Sequence, residues 1–111
     1  MFLEFKLIEF VDDANYSVTP EIAEFANLTY DRELGCAIMC FKEGFHSIGF
    51  PMSSKEYIYF LGTVNDMINK GTCAKCTSAG FIINHSRSLE ESRKLIKAVK
   101  GFNAGKTEKN A

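Results

Sequence analysis

Residues Leu34 to Phe41 are apolar almost without interruption, with Cys36, Ile38 and Cys40 on one side of an extended chain and Ala37, Met39 and Phe41 on the other. A strand apolar on both faces has to be covered on both, so this run is predicted to be the central strand of a sheet backed by further layers. The chain has 111 residues, of which 46% are hydrophobic, and it includes ten Phe and four Tyr. That length suits one core and that apolar content is enough to offset the entropy of ordering it, so a single folded domain is expected.

Other segments are read relative to this strand. Residues 2–11 place Leu3, Phe5, Leu7 and Val11 on one side and Glu4, Lys6, Ile8 and Phe10 on the other, the alternation of a first strand with one drier face. Thr19-Pro20-Glu21 has the form of a helix start, and Ile22, Phe25 and Ala26 share a helical face, predicting a short helix over 20–27. Ala26, Leu28 and Tyr30 also alternate as a strand would, so 20–30 stays open between the two. Lys42-Glu43-Gly44 supplies a turn, and 45–50 returns as a hairpin partner until Pro51. Ser53 and Glu56 form a capping box ahead of the stripe Tyr57, Phe60, Leu61, Val64, Met67 and Ile68, with Gly71 closing a helix over 54–70.

Ala79 to Ile83 predicts a strand over 79–84. Ser88 and Glu91 repeat the capping box ahead of Leu89, Leu95, Ile96, Val99 and Phe102, the stripe of a helix over 89–101 that frays near Gly101. Gly105 to Ala111 has no apolar anchor and reads as a flexible tail, leaving residues 1–104 as the domain. The fold class is therefore α+β, a mainly antiparallel sheet of three to five strands with two main helices packed on one face.

No apolar run approaches the roughly 20 residues that span a bilayer, and Glu4 and Lys6 sit inside the first apolar stretch, so no membrane partner and a cytoplasmic location are expected. In that compartment the four cysteines are thiols. Cys73 and Cys76 have the spacing of a thiolate pair, which with His46 or His85 would make a zinc site; no other cofactor is implied. Cys36 and Cys40 are excluded from sharing a metal, because residues four apart on a strand are separated by roughly 13 Å while ligands of one zinc lie about 4 Å apart. Redox catalysis needs such a pair at a helix N-terminus, and Cys73 follows a helix end instead. Gly101 to Thr107 ends in Gly-Lys-Thr but lacks the glycine spacing and preceding strand of a phosphate loop.

Charge is unevenly spread: residues 1–45 carry nine acids and three bases, whereas residues 86–111 carry three acids and seven bases. Arg93, Lys94, Lys97 and Lys100 fall opposite the apolar stripe of the last helix and are candidate contacts for phosphates or an acidic protein surface. Phe45 and Phe50 flank the glycine-bearing hairpin, and Ile58 and Tyr59 point away from the stripe of the first helix; aromatic residues of this kind anchor protein interfaces. No placed nucleophile or acid–base pair is found. The sequence thus points to a noncatalytic binding or inhibitory protein of the kind phages and mobile elements carry as accessories, with a protein partner and compatible with a homodimer. A nucleic-acid module using the last helix, or a zinc- or thiol-dependent protein, are its alternatives.

Overall fold

The computed structural model describes residues 1–12, 15–43, 46–71 and 74–109, with side chains up to residue 105 and that of Ala74 excepted. Five strands, β1 (Phe2–Phe10), β2 (Tyr16–Asp31), β3 (Cys36–Phe41), β4 (Ile48–Pro51) and β5 (Ala74–Ile82), are joined with two helices, α1 (Ser54–Lys70) and α2 (Leu89–Lys109). Each strand pairs antiparallel with the next. Five alternating directions leave the first and last strands running the same way, so the pairing of β5 with β1 that closes the barrel is parallel. The protein is therefore α+β with a mainly antiparallel sheet and helices packed on it.

Closure turns the two faces of each strand into an inside and an outside. Leu3, Phe5, Leu7, Ala23, Ala37, Met39, Phe41, Ile48 and Phe50 fill the inside, and Tyr57, Phe60 and Met67 of α1 pack against that cluster. Outside, Ile8, Cys36, Ala79 and Phe81 meet Ile96 and Val99 of α2. The two-sided apolar character of β3 follows from this division, since Ala37, Met39 and Phe41 point in while Cys36 lies beneath α2.

The capping box of α1 is formed as its sequence implies: Ser53 Oγ accepts from the Glu56 amide at 3.2 Å and Glu56 Oε1 accepts from the Ser53 amide at 3.0 Å. Gly71 ends that helix at φ 65°, a left-handed conformation that glycine takes without steric cost. In α2 the Ser88 hydroxyl accepts from the Glu91 amide. This helix does not stop near Gly101. Phe102 meets Tyr16 edge-on at 5.8 Å, and Asn103 binds the backbone of Ala79, and these tertiary contacts outweigh the roughly 1 kcal/mol that a helical glycine costs.

Asn103 completes a defect in the sheet. Ile83 donates to the carbonyl of Ser47, so in the register that pairs Gly49 with Phe81 the next exchanging pair is Pro51 with Ala79. Proline has no N–H to offer there. The carboxamide of Asn103 supplies both missing bonds, its Oδ1 accepting from the Ala79 amide at 3.0 Å and its Nδ2 donating to the Ala79 carbonyl at 3.4 Å.

The expected helix over 20–27 is absent: those residues belong to the long strand β2. A bulge between Phe25 and Asn27 inserts one residue and shifts the period, so that Ala23 and Phe25 face the interior before it and Leu28 after it. An interrupted period of two produced the helix-like spacing of Ile22, Phe25 and Ala26. The hairpin strand expected over 45–50 is observed as Ile48–Pro51, with Phe45 outside the described residues, and the strand expected over 79–84 begins five residues earlier, at Ala74.

Candidate binding surface

The first half of β2 reaches beyond β3. Residues 16–24 pair with β1, whereas β3 pairs only from Phe25 onward. Three bonds fix which backbone groups point where. Phe25 donates to Met1 and Val11 to Asn15, both exchanging pairs of the β1–β2 register, and Lys42 donates to Glu24 on the other side. Exchanging pairs alternate, so Ser17, Thr19, Glu21 and Ala23 direct their N–H and C=O toward β1, while Tyr16, Val18, Pro20 and Ile22 direct theirs away from it. No strand among the described residues pairs with these four on that side. Pro20 thus occupies a position where its missing donor costs the β1 ladder nothing.

The same four residues turn their side chains to the outer face, because they stand opposite Phe10, Ile8, Lys6 and Glu4. Tyr16, Val18 and Ile22 are exposed, Ile22 to 60%, and Phe2 alongside is 52% exposed. Tyr16 marks where α2 stops covering this face, its ring lying 5.6 Å from Phe10 and 5.8 Å from Phe102. Single exposed apolar residues are ordinary; a row of them along an open strand edge is not. Acids outnumber bases around the row: on its own face Glu4 stands opposite Ile22 and Lys6 opposite Pro20, on the other face lie Glu9, opposite Ser17, and Glu21, and Lys42 is 3.8 Å from Glu24. The sequence hid this surface because Tyr16 and Val18 fell between the first strand and a supposed helix that took Pro20 and Ile22; the alternation of Tyr16, Val18, Pro20 and Ile22 was the signal available.

The candidates raised from sequence fall in several places. Arg93, Lys97 and Lys100 are exposed along one side of α2, while Lys94 lines a separate groove of about 530 Å³ with Phe10, Asp12, Arg87, Glu91 and Leu95. Lys100 borders a groove of about 410 Å³ with Tyr30, Ser53, Glu56 and Asn103, and an adjoining hollow contains Lys55, Tyr59 and Phe60. Ile58 and Tyr59 are exposed, Tyr59 to 81%. Phe50 is instead a core residue: it is fully buried inside the barrel, with its ring 6.1 Å from Phe5 and 6.2 Å from Phe60, and offers no surface. Phe45 lies outside the described residues.

The thiols are equally dispersed. Cys73 lies outside the described residues, so the Cys73/Cys76 pair has no described geometry. Cys76 is half-buried in β5 and donates to the Ser78 carbonyl, and His85 is exposed in the turn that follows that strand. Among the described residues no three His, Cys, Asp or Glu side chains converge on one point. Burial under α2 pushes the Cys36 thiol up from its ordinary 9.0 to about 11, offset in part by Lys100, so it is protonated and unreactive at neutral pH. Among the described residues no helix is long and apolar enough to cross a membrane. Comparison with protein-family models, with curated proteins and with solved structures returns no match for this chain.

Proposed function

We propose that this protein is a noncatalytic binding protein whose ligand is another protein, held on the outer face of the β1–β2 hairpin. The observation that carries this reading is the exposed row Tyr16, Val18, Pro20 and Ile22 with Phe2 beside it, apolar surface left uncovered next to the part of the outer barrel that α2 covers. Burying such side chains in a partner removes about 25 cal/mol from the free energy per Å² of apolar area, and aromatic and aliphatic anchors dominate interfaces of this kind. The acidic surround supplies orientation and rate more than affinity, which favours a partner that is basic next to an apolar strip.

A second reading is favoured by a different observation. Arg93, Lys97 and Lys100 share one side of α2, and Lys100 borders the groove adjoining Lys55, Tyr59 and Phe60, so cations and aromatic rings separated in sequence come into one neighbourhood, as single-stranded nucleic acid requires. Affinity capture from the native host separates the two. A protein retained by the parent and lost with Val18→Asp/Ile22→Asp, yet kept by Arg93→Glu/Lys97→Glu, supports the hairpin; nucleic acid lost with the second variant alone overturns it.

A further inference from the structure

We propose that the partner binds by strand addition, an extended segment with apolar and basic residues in alternation lying antiparallel along the edge of β2 that no strand among the described residues pairs; this rests on the hairpin being the binding face. The edge offers the amides of Val18 and Ile22 and the carbonyls of Tyr16, Val18, Pro20 and Ile22, all directed away from β1 by the register. From Tyr16 to Ile22 that is seven residues, about 20 Å of edge. Residues of an added strand that stand opposite Val18 and Ile22 share their face, and apolar side chains there extend the exposed row. Residues between them turn to the other face, where Ser17 and Thr19 are exposed beside Glu21 and Glu9, and basic side chains match those acids.

Pro20 argues against a second copy of this chain as the occupant. A twofold pairing centred on Thr19, the middle of that stretch, sets each Pro20 opposite the Val18 of the other copy at an exchanging pair, so two bonds are lost for want of a donor. An unrelated strand loses only the bond that Pro20 cannot donate. It still gains those of Val18 and Ile22 and donates to the carbonyl of Pro20. The proline therefore costs a foreign strand one bond and a symmetric pair two, which tilts the edge away from self-pairing, a role that proline commonly has on edge strands.

The test uses the intact protein and a synthetic eight-residue peptide of alternating valine and lysine with blocked ends, followed by amide hydrogen exchange and NMR titration. Expected are saturable binding and slowed exchange at Val18 and Ile22, with Ser17, Thr19 and Glu21, already bonded to β1, unchanged. Methylating the peptide nitrogen of every valine should weaken binding at least about tenfold, because those nitrogens face the edge, whereas methylating every lysine nitrogen should not. Replacing lysine by glutamate should also weaken it about tenfold. Equal effects of the two methylation patterns, protection away from the edge, or absence of binding would overturn strand addition. Concentration-dependent protection of Val18 in the protein alone would assign the edge to a second copy and overturn it as well. None of these results touches the broader reading, which falls if a captured protein partner survives Val18→Asp/Ile22→Asp or if capture retains nucleic acid that is lost with Arg93→Glu/Lys97→Glu alone.

Discussion

Gly80→Ala places one methyl group inside the barrel, where the structure has no room for it. A Cβ at residue 80 would lie 2.6 Å from Ile48 Cγ2, 2.8 Å from Phe50 Cε1 and 3.0 Å from the Gly49 carbonyl oxygen. Ile48 and Phe50 are wholly buried and the third neighbour is backbone, so none can give way cheaply. Overpacking of this kind costs about 1–3 kcal/mol, less about 0.5 kcal/mol because alanine restricts the unfolded chain. With an unfolding entropy of about 2.1 cal/mol/K per residue over 111 residues, a net loss near 2 kcal/mol lowers the thermal midpoint by about 9 °C. Gly62→Ala is the control, since nothing stands within 4 Å of its added methyl on α1, and it should raise the midpoint by about 2–4 °C. Differential scanning calorimetry of the three proteins decides. A Gly80→Ala midpoint equal to or above the parent's would refute the close packing of β5 against the side chains of the adjacent strand β4 inside the barrel.

Other consequences are open to direct measurement. Because the Cys36 thiol is held protonated in the folded state to about pH 11 while the unfolded thiol ionises near 9.0, stability should fall as pH rises through that window. The loss should be about 2–3 kcal/mol larger than in Cys36→Ala, measured by urea denaturation at pH 8 and pH 11. Asn103→Ala strands the amide and carbonyl of Ala79 and should cost about 1–3 kcal/mol, with faster exchange at the Ala79 amide. Ser53→Ala removes the cap of α1 and should cost about 1 kcal/mol by thermal melting at neutral pH. The Ser53 hydrogen bonds hold the Glu56 carboxyl below its usual range, so the share due to Glu56 is present above the ordinary carboxylate range and disappears as pH falls through the lowered value.

Much of the architecture was legible because local chemistry and tertiary need coincide. Ser53, Glu56 and Gly71 bound α1 by bonds made within a few residues, and its limits agree with the sequence reading. The alternation of Leu3, Phe5 and Leu7 marks β1, and the two-sided run of β3 announces a strand covered inside and out. What was not legible depends on distant partners. A bulge near Ala26 disguised β2, because one inserted residue converts a period of two into a spacing that resembles a helix. The continuation of α2 past Gly101 depends on Ala79, 24 residues before Asn103, whose ladder partner is a proline. The candidate surface was the least legible part, since an open strand edge exists only once the length of β3 relative to β2 is known.

The central claim is that an apolar row on the β1–β2 hairpin binds a protein. Isothermal titration of the captured partner into the parent, into Val18→Asp/Ile22→Asp and into Arg93→Glu/Lys94→Glu/Lys97→Glu/Lys100→Glu, each at low and high salt, tests it most directly. The account predicts at least about a hundredfold weaker binding for the hairpin variant, little change for the helix variant, and a shallow dependence on salt. Undiminished binding by the hairpin variant, with loss in the helix variant and a steep decline with salt, would contradict it.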